Sequence, residues 1–295
     1  MTEGAPGGPT TEQSAVLDVG LPELRDLPWR HTRDPWRVLV SEVMLQQTQA
    51  ARVVPRWHRF LDRWPDPASC AAASLADVLD EWHGLGYPRR ARNLWSTATC
   101  CVEQHRGELP STLPELLALP GVGPYTARAV LAFAHEVDVG VVDTNIARVL
   151  ARRIGRPLRP KEAQAIADGW VPAGRSWDWN QVVMDLGATR CRPEPRCAGC
   201  AVACAWRDEG YPSPDPAVGS AGVSRRQAPF EGSARQGRGR ILAALRGGPM
   251  ERRQVLDVVG WGDRPDGAAA SAALVESLVA DGLVVATGER LDLPR

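Results

Sequence analysis

Leu119-Pro120-Gly121-Val122-Gly123-Pro124-Tyr125-Thr126-Ala127 joins two stretches of helical periodicity. Gly121 and Gly123 allow a tight reversal without a side chain in the way. Backbone N–H groups at the start of the following helix are then free to face an anion such as a DNA phosphate. A plain helix–helix turn would use the same residues, so this motif alone leaves both readings open.

Upstream lies Ser41-Glu42-Val43-Met44-Leu45-Gln46-Gln47-Thr48, inside a helix starting near Trp36 whose core face carries Trp36, Leu39, Val40, Val43 and Met44. Glu42 shares a stripe with Val38 and Leu45 by i−4 and i+3 spacing. If that stripe lines a pocket, its apolar neighbours favour the protonated acid; in a lone helix an exposed glutamate is the plainer reading. Gln46 and Gln47 can both donate to and accept from base edges. Downstream of the hairpin, Val139 to Val142 lead into Asp143-Thr144-Asn145, with Ile146, Val149 and Leu150 on one helical face. Asp143 reads as an N-cap. A helix N-terminus favours the ionised carboxylate, which keeps a negative charge available to a cationic intermediate.

Composition sets the limits on these readings. The chain has 295 residues, 44% hydrophobic and 24% charged, with a net charge of zero. A DNA-binding surface must therefore be local. No apolar run is long enough to span a membrane, and the N-terminus has no secretory signal, so a cytoplasmic location is expected. Lys161 is the only lysine. Four of the seven cysteines, Cys191, Cys197, Cys200 and Cys204, fall together, whereas Cys70, Cys100 and Cys101 read as core filler. A reducing compartment disfavours a disulfide framework.

Helical periodicity with few strand candidates makes the fold mainly α. Residues 1–20 read as a disordered leader, 21–211 as a helical core and 212–235, rich in Pro, Gly, Ser and Arg, as a contact-poor linker. After it, helices near 239–245, 252–259 and 269–280 and a hairpin over 283–293 suggest a small winged-helix-like module in 236–295.

The ordered set Leu27-Pro28-Trp29-Arg30, Ser41 to Gln49, Gly84-Leu85-Gly86-Tyr87, the hairpin, Val142 to Asn145 and Met184-Asp185-Leu186-Gly187-Ala188 resembles the MutY-type adenine glycosylases of the endonuclease III superfamily. The resemblance covers roughly Leu21 to Tyr211. It implies a helix-hairpin-helix fold, with residues 31–137 as a helical barrel and 138–211 plus the N-terminal segment as a cluster subdomain. It further implies a monomeric, monofunctional base-excision-repair enzyme acting on duplex DNA with adenine opposite 8-oxoguanine or guanine.

By this resemblance Glu42 matches the catalytic acid, and Asp143 matches the carboxylate that stabilises an oxocarbenium ion. Tyr125 and Asn145 match residues supporting them. Relatives that cut the strand carry a Schiff-base lysine where Tyr125 stands. Arg30, Gln46, Gln47, Thr48, Leu85, Tyr87, Gly121 and Gly123 match DNA-contacting positions, Tyr87 as an aromatic wedge. Cys191, Cys197, Cys200 and Cys204 match the ligands of a [4Fe–4S] cluster. Their gaps of five, two and three residues are shorter than the family's commonest spacing, which keeps zinc as a rival. No Nudix-like domain is evident in the remaining residues. Thymine or uracil excision at G mispairs, or a non-catalytic iron–sulfur DNA-binding regulator, are the competing functions.

Overall fold

A computed structural model of the chain describes residues 8–223 and 229–294. Fifteen α-helices are found among them: α1 (Thr11–Gly20), α2 (Pro35–Leu45), α3 (Ala50–Arg63), α4 (Pro67–Ala71), α5 (Leu75–Glu81), α6 (Arg89–Gln104), α7 (Leu113–Ala118), α8 (Pro124–Phe133), α9 (Thr144–Ile154), α10 (Pro160–Gly169), α11 (Ser176–Thr189), α12 (Ala205–Asp208), α13 (Ala234–Arg246), α14 (Val255–Val259) and α15 (Gly267–Ala280). The short strands β1 (Met250–Glu251), β2 (Val285–Thr287) and β3 (Arg290–Asp292) form one antiparallel sheet in the order β1-β3-β2. The mainly α class read from periodicity holds.

The helices begin where local chemistry satisfies their first N–H groups. Thr10 and Gln13 form a capping box for α1, Asp66 caps α4, Ser74 caps α5 and Ser233 caps α13. On α3 the buried residues Val53, Trp57, Phe60 and Leu61 recur at helical spacing, so one face is apolar and the other is solvated.

The chain divides into two compact units. The first comprises the described parts of Met1–Val38, Ser111–Leu117 and Val122–Arg226, and the second comprises Leu39–Pro110, Ala118–Gly121 and the described parts of Gln227–Arg295. The first unit is built on a core of Val16, Leu17, Ile146, Val149, Leu150, Trp170, Trp179 and Val182, with the two tryptophan rings edge-to-face at 4.8 Å. α8 belongs here and packs on α11. Asp185 anchors the N-terminal segment: Arg30 donates to both of its oxygens at 2.8 Å, and the Arg25 backbone N–H and side chain bind the same carboxylate.

Two expectations are revised in this unit. The leader is ordered from Thr11, because Val16 and Leu17 are buried against α11. The linker is not contact-poor up to Val223. Asp215 pairs with the buried Arg152 at 2.6 Å, the Leu158 N–H donates to Ser220 Oγ at 2.8 Å, and the Ala221 N–H returns to the Leu158 carbonyl. Residues 1–7 of the leader and 224–228 of the linker lie outside the described residues.

In the second unit α13, α14, α15 and the sheet form the three helices and hairpin expected from the sequence, with β1 added. β1 escaped the sequence reading because two residues carry no alternation. This module packs on the helices of 39–110 rather than hanging from a tether. Arg246 pairs with Asp80, Arg89 pairs with Asp281, and the Ala76 N–H donates to the Pro294 carbonyl.

Candidate active site

Asp143 terminates an extended lead-in, Val139 to Val142, that α11 holds in place. The buried Asn180 amide accepts from the Val141 N–H at 2.8 Å and donates to the Val139 carbonyl at 3.0 Å. Asp143 then caps α9, as its position in the sequence suggested: Oδ1 accepts from the N–H groups of Asn145 and Ile146 at 3.0 and 2.7 Å. Its other oxygen accepts from Asn145 Nδ2 at 2.8 Å. Asn145 is oriented in turn by Arg148, whose Nη2 donates to Asn145 Oδ1 at 3.0 Å and to the Gly187 carbonyl, while Nε donates to the Cys191 carbonyl. A Cβ at Gly187 would come within 2.7 Å of Asn145, so glycine there lets α11 approach the start of α9.

The residue keeps some accessible surface, yet its carboxyl is enclosed by protein. Burial raises the Asp143 carboxyl above its ordinary range, against three hydrogen bonds and the Arg148 charge that favour the ionised form. The hydrogen bonds at the helix N-terminus and the Arg148 charge thus oppose desolvation without outweighing it.

Glu42 lies on α2 within a run, Val38 to Met44, in which every residue is buried; Glu42 itself is 5% exposed. α2 is therefore an interior helix, and Glu42 is a buried acid rather than a surface one. Its C-terminal carbonyls are tied to the Gly84–Tyr87 loop by Arg90, a residue the sequence reading passed over. Arg90 Nη1 donates to the Val43 and Met44 carbonyls at 2.7 and 2.9 Å, and Nη2 donates to Thr48 Oγ1 and to the Leu85 and Gly86 carbonyls. Burial lowers the Arg90 guanidinium to about 10. Gln46 and Thr48 are half-buried and Gln47 is exposed with φ +56°, while Tyr87, half-buried, has φ +49°.

Two positions expected to touch DNA, Arg30 and Leu85, are buried in this structure. Arg30 is 6% exposed and its guanidinium is engaged by Asp185, so it holds the fold together. Leu85 is 4% exposed and packs inward, offering the loop its carbonyl and not its side chain. At the hairpin, Gly121 has φ +74° and a Cβ there would overlap the Asn93 side chain, so glycine is required. Gly123 has an ordinary φ of −92° and a Cβ would meet nothing within 4 Å, so the reversal does not need it; its open face leaves room for an approaching ligand. Tyr125 is half-buried in the first turn of α8.

Cys191, Cys197, Cys200 and Cys204 line one cavity of about 390 Å³, counting the space at its mouth, with Arg152, Arg190, Arg196 and Arg207 around it. Arg152 Nη1 donates to Cys191 Sγ at 3.4 Å, and Cys204 Sγ donates to the Arg152 carbonyl. Burial raises the Cys191 thiol, and Arg152 and Arg148 act against that rise. Among the described residues no three Cys, His, Asp or Glu side chains close around a single ion. Four sulfurs around a shared cavity with cationic walls fit a multi-iron, net-negative cluster. Asp143, Asn145, Tyr125 and the cysteines belong to the first unit, and Glu42, Gln46, Gln47, Thr48 and Tyr87 to the second.

A family model described as HhH-GPD superfamily base excision DNA repair protein matches residues 40–173. The adenine DNA glycosylase of Mycobacterium tuberculosis is 44% identical over 282 residues, covering 92% of this chain and 89% of that one. The chain belongs to the HhH-GPD superfamily of base excision DNA repair proteins. Among solved members, a thermostable thymine-DNA glycosylase is 30% identical with a TM-score of 0.64, over 67% of this chain and 95% of that one. An endonuclease III trapped as a covalent intermediate with DNA shares the fold at 24% identity and a TM-score of 0.58, over 68% of this chain and 98% of that one. No helix among the described residues is long and apolar enough to cross a membrane.

Proposed function

We propose that the chain hydrolyses the N-glycosidic bond of adenine opposite 8-oxoguanine or guanine in duplex DNA, as a cytoplasmic monomer that leaves the strand intact. The observation that carries this reading is the Asp143 carboxylate, held on both oxygens at the mouth of α9, in a chain 44% identical to an adenine DNA glycosylase.

Glu42 donates a proton to the adenine ring, the C1′–N9 bond breaks, and its electron pair leaves with the base. Asp143 faces the positive charge left on the sugar, and Asn145, fixed by Arg148, keeps its carboxylate aligned. Water adds to C1′ and its proton returns to Glu42, leaving adenine and an abasic site. A flipped base has lost its stacking, which Tyr87 would offset by wedging into the gap. Tyr125 has no amine for a Schiff base, so no covalent enzyme–sugar adduct of that kind forms. Gln46, Gln47, Thr48, Gly121 and Gly123 remain the proposed DNA-facing positions.

Cys191, Cys197, Cys200 and Cys204 would hold a [4Fe–4S] cluster, which would tie the 191–204 segment together; none of the hydrolytic steps above transfers an electron. A second reading, thymine excision, is favoured by the likeness to the thymine-DNA glycosylase. Incubation of the full chain with A opposite 8-oxoguanine, A opposite G and T opposite G, followed by alkali, separates the two readings. Cleavage only of the T-containing strand would replace the adenine reading.

A further inference from the structure

Tyr87 occupies a backbone conformation, φ +49°, that a bulky side chain rarely adopts, so its ring needs support from elsewhere. That support comes from two arginines. The Arg90 guanidinium lies 5.5 Å from the ring centroid, and that of Arg235 lies 5.9 Å away. Arg235 Nη1 also donates to the Tyr87 hydroxyl at 2.9 Å. Arg90 is engaged with five acceptors on α2 and the loop, whereas Arg235 comes from the C-terminal module.

We infer that Arg235 is a positioning residue for Tyr87, through which the C-terminal module takes part in recognising the base opposite the target. Arg235 stands in the first turn of α13, and Arg238, Leu242 and Arg246 follow at i+3, i+7 and i+11 on the same face. That face runs along residues 80–89. Arg238 binds Asp281, which also binds Arg89; Leu242 lines an apolar cavity with Trp82 and Gly86; Arg246 binds Asp80. The arginines of α13 are thus each engaged by protein groups, Arg240 included, which stays exposed while donating to the Val259 carbonyl. α15, the helix that a winged helix would place in a groove, contains neither Arg nor Lys. A module without a basic reading helix, but holding the candidate wedge by its hydroxyl, influences the mismatch by fixing Tyr87.

This inference rests on the glycosylase reading, and the test keeps the two apart. Full-length R235A, R235K, Y87F and the double variant Y87F/R235A are compared by single-turnover adenine release across a range of enzyme concentrations. The same variants are compared by binding to an A opposite 8-oxoguanine duplex without turnover. R235A and Y87F are each expected to raise the half-saturating concentration about tenfold, the order of one charge-assisted hydrogen bond. The loss should fall on half-saturation more than on the plateau rate, R235K should lose less, and the double variant should be no worse than the worse single one. Wild-type half-saturation in R235A, or multiplicative losses in the double variant, would overturn the inference. If R235A is poorly folded, the comparison of R235K with Y87F/R235K carries the same cycle. A wild-type chain that releases no adenine refutes the parent reading, and the binding cycle still reports whether Arg235 acts through Tyr87.

Discussion

Asp143 shows how one side chain serves stability and chemistry in opposite directions. Its folded-state carboxyl is raised by burial, so ionisation at neutral pH costs the folded state more than the unfolded one. The penalty is present above the folded value and disappears as pH falls below the ordinary aspartate range. Asn is an equally good N-cap and carries no charge. D143N removes that penalty but sets an amide donor against Asn145 Nδ2, so its melting temperature relative to wild type should rise between pH 4 and pH 7, while adenine release is lost and duplex binding stays. E42Q should likewise bind without turning over. Near-wild-type release by either variant, measured under single-turnover conditions, would contradict the roles given to these carboxyls. Asp143 was legible because an aspartate before an apolar helical face is a recognisable cap. Arg148, which orients Asn145, was not: an arginine between Ile146 and Val149 reads as a solvated residue until α11 is packed over it. Borohydride treatment during turnover should trap no adduct, because Tyr125 supplies no amine and Lys161 lies outside the hairpin. Efficient trapping would show that another nucleophile forms an imine.

Among elements, the N-terminal segment is held to α11 by charge in a nearly dry setting. Burial raises the Asp185 carboxyl, but Arg30 and Arg25 outweigh it and hold it below the usual range. Its stabilising contribution is complete above the ordinary aspartate value and is lost as pH falls through the lowered folded value. D185N leaves Arg30 buried without its charge partner and should cost about 3–5 kcal/mol in urea unfolding at neutral pH, a large part of the typical ~5–15 kcal/mol of a domain. The gap between variant and wild type should close in strong acid; a gap independent of pH would mean that the ion pair is not its source. This pairing explains why Arg30, read from the sequence as a DNA contact, is interior. A motif preserves order along the chain but not the direction in which a side chain points. The hairpin makes the same point, since Gly121 and Gly123 look equivalent in sequence and only Gly121 is demanded by its backbone and by Asn93.

For the molecule as a whole, the fold class, the cysteine group and the three-helix module with its hairpin were readable from periodicity and composition. Docking was not, because contacts such as Arg246 with Asp80 or Asp215 with Arg152 join residues far apart in sequence and leave no local pattern. A chain ending at residue 223 keeps the Asp215 contact and loses the module; one ending at residue 211 loses both. The first should melt below the full chain and the second lower still, because Arg152 is then buried without Asp215. Equal melting of the two truncations would show that residues 212–223 add nothing. Anaerobically purified protein should be yellow-brown with about four irons per chain, as a cubane held by four cysteines requires. The proposed activity is release of adenine with the strand left intact. It is tested most directly by single-turnover incubation of the full chain with duplexes carrying A opposite 8-oxoguanine, A opposite G and T opposite G, analysed before and after alkali. Alkali-dependent cleavage is expected at adenine in the first two duplexes and none in the third. Intact strands after alkali in both adenine duplexes, or cleavage confined to T opposite G, would contradict it.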